Sequence, residues 1–193
     1  MRLSYVDETE NDDNIIVCVL TVESEYELEQ SFKSFKKKAR NLSSKLTQKQ
    51  RRILFNEFKS KEIDEDHPAI KRAMLNHIDL LNCRITCSYQ KKSSPSIKME
   101  EKKQLYIDAI HEALDVIEDP KAVIFDRFKN RKFEQEIIDS FICDESVLSI
   151  APGDSKLFAG LMYVDNICSV IRYRLSNTDI HNYYYLIEDK VIK

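Results

Sequence analysis

The sequence predicts an α/β protein in which helices flank one mixed β-sheet. Five short segments have β-strand composition, and most of them are separated by longer stretches whose apolar residues recur at helical spacing. The composition agrees, because 42% hydrophobic and 33% charged residues with only 2 Gly and 4 Pro are typical of a compact, helix-rich chain. We therefore expect one domain that spans residues 1–193.

The amino-terminal part begins with a predicted β-hairpin. Arg2–Asp7 and Ile15–Val22 have strand composition, and the polar residues 10–14 between them form the expected turn. Ser24 then precedes a stretch through about Leu46 with apolar residues at helical spacing. This pattern predicts a helix capped by Ser24.

The middle of the chain is predicted to be mainly helical, with one strand. Residues 50–63 fit a helix or an irregular segment, and residues 66–68 (DHP) open a predicted helix through about Leu81, since Pro is favoured in a first helical turn. Arg84–Gln90 alternates as a half-buried strand does, and a helix is expected from about Lys98 to Ile117.

The carboxyl-terminal part contains the clearest strand. Lys121–Asp126 is a short apolar run that ends in an acid, as in a buried parallel strand. The expected order after it is a helix through about Phe141, a strand at Val147–Ile150, a turn at Ala151–Asp154, a helix at Ser155–Leu175 capped by Asp154 or Ser155, and a last helix at His181–Lys193. One or two of the three consecutive tyrosines of that last helix are expected to pack in the core, and the alternative is that they stack on bases.

The composition also indicates the cellular compartment in which the protein is expected to occur. The longest apolar run, Ile15–Leu20, is too short to span a bilayer. The five cysteines are an odd number, scattered among apolar neighbours, which favours reduced thiols over a disulfide framework. We therefore expect a cytoplasmic protein without a membrane partner.

Basic residues are concentrated in one region, although the formal net charge is only −3. The segment from Lys33 to Lys61 contains many basic side chains, among them Arg51, Arg52 and Lys59, and a single acid, Glu57. It belongs to a predicted helical insertion at about residues 24–82. Such a segment is able to follow a phosphate backbone, and the alternative is a solvated, lysine-rich helical hairpin.

Three aspartates lie at the ends or in the middle of predicted core elements. In LSYVD, Leu3, Tyr5 and Asp7 share one face of the strand, so Asp7 continues a buried row. Asp126 ends a predicted parallel strand, at the edge where open α/β sheets usually bind ligands. Asp165 faces the core at mid-helix, near Cys168.

A cluster of these aspartates would require a cation. Each acid alone is compatible with a cap or an ion pair, but carboxylates held together repel each other unless a cation neutralises them, and oxygen ligands suit Mg²⁺ or Mn²⁺. The histidines have no metal-ligand spacing, and the sequence has neither a Gly-rich phosphate loop nor a G-x-S-x-G motif. The aspartates are therefore the best candidate site.

Four segments resemble a known family. Residues 5–9 (YVDET) are similar to the "Y-hydrophobic-D-E-S/T" opening of the ribonuclease-H-like family catalogued as domain of unknown function 3800. Residues 57–59 (EFK), 123–126 (VIFD) and 163–165 (YVD) resemble its "E-hydrophobic-K" segment, its acid-ended strand and its "hydrophobic-A-D" helix. The resemblance implies a ribonuclease-H-like mixed sheet flanked by helices, metal-binding acids at Asp7, Asp126 and Asp165, and a bacterial or phage-associated protein.

Two residues depart from the family pattern. Glu10 replaces the usual glycine after the first motif, and Met162 replaces the usual glutamine before the helical acid. The leading hypothesis is nevertheless a metal-dependent nuclease or phosphodiesterase with Asp7, Asp126 and Asp165 as ligands of Mg²⁺ or Mn²⁺ and Glu8 beside them.

The same hypothesis includes a nucleic-acid surface. Residues expected to hold the phosphate backbone, with strong salt dependence, are Lys59, Arg127, Lys129, Arg131, Lys132, Arg51 and Arg52. Two alternatives remain open. One is a non-catalytic phage or defence-system protein that binds a protein or nucleic acid on the same fold, and the other is hydrolysis of a small phosphoester.

Overall fold

A five-stranded mixed sheet forms the centre of the molecule. The computed structural model describes residues 2–63, 67–119 and 121–192, apart from the side chains of residues 61 and 62. Asp66 and the side chain of Lys61, which belonged to a predicted helix start and to the basic segment, lie outside the described residues. The strands are β1 (Arg2–Glu10), β2 (Asn14–Val22), β3 (Cys83–Lys91), β4 (Lys121–Asp126) and β5 (Val147–Gly153).

The strand order is β3-β2-β1-β4-β5. β2 is antiparallel to both of its neighbours, β1 and β3, and β4 is parallel to both β1 and β5. β2 is thus the one strand that runs against the other four. The register between β1 and β4 ends at Val6 and Phe125, so that Asp7 and Asp126 both follow directly after the last paired residues.

Helices cover both faces of this sheet. The helices are α1 (Glu25–Leu42), α2 (Gln48–Glu57), α3 (Ser60–Ile63), α4 (Pro68–Asp79), α5 (Met99–Asp115), α6 (Arg131–Ser140) and α7 (Ala159–Leu175), and two short 3-10 turns follow at Tyr184–Leu186 and Glu188–Lys190. α1 to α4 all lie between β2 and β3, in the region predicted as a helical insertion.

Two apolar cores form because the side chains of each strand alternate between the two faces. Tyr5 of β1 packs with residues of α1, α4 and α7, whereas its neighbour Val6 packs with residues of α5 and α6. The predicted α/β class, a mixed sheet flanked by helices, is confirmed by this strand order and these two helical layers.

Most predicted elements are present, with shifted ends. The Ser24 cap is confirmed, since its side chain accepts a hydrogen bond from the backbone of Glu27. α1 ends at Leu42 rather than near Leu46, and Ser43 caps it. Residues 50–63, left open between helix and loop, form α2 and α3 around a break at Phe58 and Lys59.

Three predictions in the carboxyl-terminal part were wrong. Residues 151–153 form no turn but extend β5, an edge strand, where Pro is tolerated because one side of the strand needs no donor. α7 begins at Ala159, not at Ser155, because the Asp154 side chain instead accepts from Lys156 in a local turn.

The third wrong prediction was the last helix, at His181–Lys193. The segment forms 3-10 turns because both carboxylate oxygens of Asp179 accept backbone N–H groups, from Tyr183 and Tyr184. Val191 then pairs with Ile85 in an extended conformation. Among the tyrosines, Tyr183 is buried as predicted, whereas Tyr185 is 73% exposed.

Candidate functional site

Asp7 lies at the edge of the sheet where β1 continues beyond the end of β4. Only 5% of the residue is exposed. One carboxylate oxygen accepts a hydrogen bond from the backbone N–H of Glu8 at 2.9 Å, and the carbonyl oxygen of Asp7 accepts one from the Cys168 thiol of α7 at 3.2 Å. The sheet thus presents a buried carboxylate directly beside α7.

Asp126 occupies the equivalent position at the end of the neighbouring parallel strand. Its Oδ1 accepts the backbone N–H of Arg127 at 3.0 Å, and its Oδ2 accepts the Lys59 ammonium at 3.1 Å. The side chains of Lys59 and Asp126 are 25% and 23% exposed. The ion pair is therefore partly shielded from water, although it is not enclosed.

Asp165 reaches the site because α7 lies very close to β1. A Cβ atom at Gly160 would lie 2.2–2.3 Å from atoms of the Tyr5 ring, so the helix approaches the strand at a distance that only glycine permits. One turn further along α7, Oδ2 of Asp165 accepts the backbone N–H of Ser60 at 2.6 Å, and Oδ1 accepts the Ser60 hydroxyl at 3.3 Å.

The break between α2 and α3 carries both Lys59 and Ser60 to the carboxylates. Phe58 has a φ of 49° and ends α2 in the left-handed region, which is uncommon for a bulky residue. The turn is held from α7, where the Asn166 amide donates to the Phe58 carbonyl at 2.9 Å and to the Met162 carbonyl at 2.8 Å. This strained turn is thus fixed by a side chain adjacent to Asp165.

A fully buried ammonium supports Asn166 in turn. Lys71 of α4 donates to Oδ1 of Asn166 at 3.0 Å and to its carbonyl oxygen at 3.1 Å, and it also contacts the Ser169 hydroxyl. The positive charge of Lys71 works to lower the pKa of Asp165. Lys71 therefore supports the site through its hydrogen bonds to Asn166 and through its positive charge.

The carboxylates act on each other electrostatically. Burial, followed by the charges of Glu8, Asp165 and Asp126, raises the pKa of Asp7 well above its usual value, and Lys59 opposes this shift. Burial also raises the pKa of Asp165, against the hydrogen bonds from Ser60 and the charge of Lys59. Excess negative charge is thus concentrated at this edge of the sheet.

Lys59 supplies part of the compensating charge. Burial of its ammonium works to lower its pKa, but the charges of Asp126, Asp165 and Asp7 outweigh this effect, and the net pKa of Lys59 is raised. The ammonium therefore stays protonated, paired with Asp126 and acted on by the charges of Asp165 and Asp7.

Glu8 points to the opposite face of β1, as strand alternation predicts. Burial and the charge of Asp126 raise the pKa of its carboxyl group. On this face it meets Tyr106 of α5, whose pKa is raised well above the usual value by burial and then by the charges of Glu8 and Asp7. Glu8 is thus close to the three aspartates but belongs to the α5 side of the sheet.

The other predicted binding residues are exposed. The set comprises Arg51 and Arg52 on α2, and Arg127, Lys129, Arg131 and Lys132 after β4. Lys132 lies 3.9 Å from Glu136, in an exposed i,i+4 pair. Of the residues proposed for phosphate contact, Lys59 differs from the rest, because its side chain is only 25% exposed and its ammonium is paired with Asp126.

In the described part of the chain, no three His, Cys, Asp or Glu side chains are arranged in a ready-made metal site. The donor set nevertheless fits a hard divalent cation, because it consists of carboxylate oxygens and includes a buried carboxyl group whose pKa is raised by its neighbours. The ion pair between Lys59 and Asp126 would have to open for Asp126 to serve as a ligand.

Sequence reasoning did not identify several residues that support the site. Three of them, Ser60, Asn166 and Tyr106, contact the acids or the turn next to them, and Lys71 contacts Asn166. None of the four belongs to a recognisable motif. Asn166 follows Asp165 directly on an otherwise apolar helix, and Lys71 is a cation on the buried face of α4. A buried polar residue in an apolar pattern was the available signal.

Comparisons with known proteins assign no family to this chain. No protein-family model matches the sequence, and no curated protein matches it. A similar chain occurs in the solved complex described as "Structure of the PCNA:RNase HII complex from Archaeoglobus fulgidus", with 15% sequence identity and a TM-score of 0.49. The alignment covers 92% of this chain and 75% of that chain. Within the described residues, no helix is long and apolar enough to cross a membrane.

Proposed function

We propose that this protein is a metal-dependent phosphodiesterase that acts on nucleic acid. The observation that carries the proposal is the Lys59 ammonium, which contacts Asp126 at 3.1 Å and whose pKa is raised by the charges of Asp126, Asp165 and Asp7. A carboxylate cluster of this kind is costly without a cation, as the raised pKa of Asp7 indicates.

Asp7, Asp126 and Asp165 would hold Mg²⁺ or Mn²⁺. The ion, when bound, supplies a more acidic water and stabilises negative charge on the leaving oxygen. The similarity of four motifs to the family catalogued as domain of unknown function 3800 supports the same assignment, and we propose membership in that family on those motifs.

The basic residues of this chain would orient the substrate. Arg127 follows Asp126 directly, and Lys129, Arg131 and Lys132 come next, all of them exposed. Their charges would attract a phosphate backbone. Lys59, once released from Asp126 by a divalent cation, would have its ammonium available for a phosphate oxygen near the reacting group.

A second candidate function follows from the same ion pair. Because Lys59 already compensates part of the negative charge, the acids are also compatible with a structural role in a non-catalytic protein. Such a protein, for example a phage or defence-system factor, would bind a protein or nucleic acid through the exposed basic residues of α1 and α2. Metal dependence separates the two candidates.

The test is cleavage of labelled single-stranded and double-stranded DNA and RNA, and of an RNA–DNA hybrid, with Mg²⁺, with Mn²⁺ and with EDTA. The proposal predicts cleavage of at least one substrate that requires the ion and falls at least a hundredfold in Asp126→Asn. Asp189→Asn is the matched control, because Asp189 is exposed and lies in the second 3-10 turn.

Equal cleavage by Asp126→Asn and the control would reject the aspartates as the site. If the intact protein binds one of these nucleic acids with high affinity but cleaves none of them in either metal, the non-catalytic function takes the place of the proposed one.

A further inference from the structure

A cavity of about 520 Å³ opens beside Glu8 at the carboxyl end of β1. This volume is within the range of roughly 300–1,000 Å³ that is typical of small-molecule sites. Its walls come from both helical layers and from the sheet, because α5, α6, β1 and β2 contribute to the lining on one side and α7 contributes Arg172. The cavity and the aspartate cluster adjoin each other, since Glu8 lines the cavity and is acted on by the charge of Asp126.

One wall of the cavity consists of three aromatic rings. Tyr106, Phe128 and Phe133 contact each other edge to face or tilted, with ring centroids 4.9–5.7 Å apart. Phe128 is only partly buried, so part of its ring surface faces the opening. A planar aromatic ligand would gain stacking or edge contacts with this wall.

A buried polar atom lies on the same wall. Tyr106 is 3% exposed, and its hydroxyl lies beside the Glu8 carboxylate, whose charge and hydrogen bond help burial to raise the pKa of Tyr106. Glu8 next to it provides acceptor oxygens for a ligand with N–H groups.

Cations lie at the rim. Lys102, Lys103 and Arg172 line the cavity together with the acids Glu8 and Glu10. Lys102 is paired with Glu10 at 2.8 Å, and Lys103 lies 3.4 Å from Glu136. The positive groups at the rim suit an anionic substituent on a ligand whose planar part contacts the aromatic wall.

We propose that this cavity binds the nucleobase of a nucleotide, with the base against Tyr106, Phe128 and Phe133 and the attached phosphate toward the basic rim. The inference rests on the proposed phosphodiesterase function and narrows it: the substrate would present an unpaired base, as in a single strand, at a strand end or in a displaced nucleotide. A fully paired duplex would leave the cavity unfilled.

The test is isothermal titration of the four common nucleoside 5′-monophosphates into the full-length protein in EDTA, so that no divalent cation takes part. At least one nucleotide is expected to bind, and Phe128→Ala is expected to weaken it at least fivefold. Tyr26→Ala is the matched control, because Tyr26 is an aromatic residue on α1 that is 73% exposed. Glu8→Gln should change the order of preference among the four bases.

The inference is overturned if none of the monophosphates binds, or if Phe128→Ala and Tyr26→Ala bind them equally. It is also overturned if short peptides with an aromatic side chain bind at the cavity in place of nucleotides, which would indicate a protein-docking site. These outcomes are separate from those of the cleavage test, since nucleotide binding in EDTA does not depend on the metal and cleavage of nucleic acid is measured without the monophosphates.

Discussion

The ammonium nitrogen of Lys59 lies 3.1 Å from Oδ2 of Asp126. The contact joins the loop after α2, far away in sequence, to the end of β4. The next residue, Ser60, makes a similar connection from its backbone N–H to Asp165 of α7. One short turn is therefore attached to two of the three aspartates, and any cation that binds them must compete with Lys59.

Replacement of Lys59 should have opposite effects on metal binding and on cleavage. Lys59→Met removes the competing ammonium, and a partly exposed ion pair contributes about 0.2–1 kcal/mol, so Mg²⁺ should bind up to about fivefold more tightly. Cleavage should nevertheless fall at least tenfold, because the phosphate loses a cation. Isothermal titration and initial rates at saturating Mg²⁺ measure the two effects.

Lys156→Met is the control for that experiment, since Lys156 forms an exposed pair with Glu57 at 3.3 Å outside the cluster. It should leave both quantities within twofold of wild type. Weaker Mg²⁺ binding in Lys59→Met would mean that the ammonium does not compete with the ion.

Removal of the Asn166 amide should destabilise the fold by about 2–4 kcal/mol. Asn166→Ala breaks two hydrogen bonds to carbonyl groups and leaves Lys71, a buried ammonium, short of one acceptor. Urea denaturation followed by circular dichroism gives the free energy of unfolding. Asn56→Ala, at an exposed position of α2, should change it by no more than about 0.5 kcal/mol. An equally small change for Asn166→Ala would show that the network does not hold the turn.

A methyl group at Gly160 should also destabilise the protein. Alanine is the better helix former by about 1 kcal/mol, but its Cβ would lie 2.2 Å from the Tyr5 ring, and overpacking of this kind costs about 1–3 kcal/mol. Because α7 would have to move away from β1, Gly160→Ala should weaken metal binding as well. Thermal unfolding and metal titration measure the two effects, and a variant that matches wild type in both would contradict the close contact.

The pH dependence of stability should reveal that ionisation of the buried Asp7 carboxyl group is unfavourable. Its pKa in the folded protein is raised, so its contribution to stability is fully present below the unfolded pKa of about 3.9 and is lost as the pH rises through the raised folded value. The amide side chain in Asp7→Asn does not titrate, so the variant has no such loss. In the absence of divalent ions, the variant should therefore gain stability relative to wild type as the pH rises from about 4 to 8.

Chemical denaturation across that pH range measures the difference, with Asp189→Asn as a control that should run parallel to wild type. A difference between Asp7→Asn and wild type that stays constant with pH would mean that the folded protein does not perturb the Asp7 carboxyl group.

The sheet and the acids on its strands could be predicted because each depends on a local pattern. Alternation in LSYVD puts Asp7 in line with Tyr5, and an apolar run that ends in Asp126 indicates the end of a buried strand. Both signals are contained in six residues or fewer. The strand order needed more than this, because pairing of β1 with both β2 and β4 is a property of the whole chain.

The residues that support the site could not be predicted, because their positions depend on contacts between distant parts of the chain. Lys59 was expected to contact phosphate, and its contact with Asp126 depends on a left-handed Phe58 that no propensity rule favours. That conformation is held by Asn166, 108 residues away in sequence. Likewise, the turn predicted at residues 151–154 became a strand because β4 provides hydrogen-bond partners that the local sequence does not reveal.

The most direct test of the central claim is a titration of Mn²⁺ into the wild-type protein, Asp7→Asn and Asp189→Asn, followed by electron paramagnetic resonance of the free ion. Wild type and Asp189→Asn are expected to bind Mn²⁺ at submillimolar concentration, and Asp7→Asn is expected to bind it at least tenfold more weakly. Equal binding by all three proteins, or no binding by wild type at millimolar Mn²⁺, would contradict a divalent-cation site at the three aspartates.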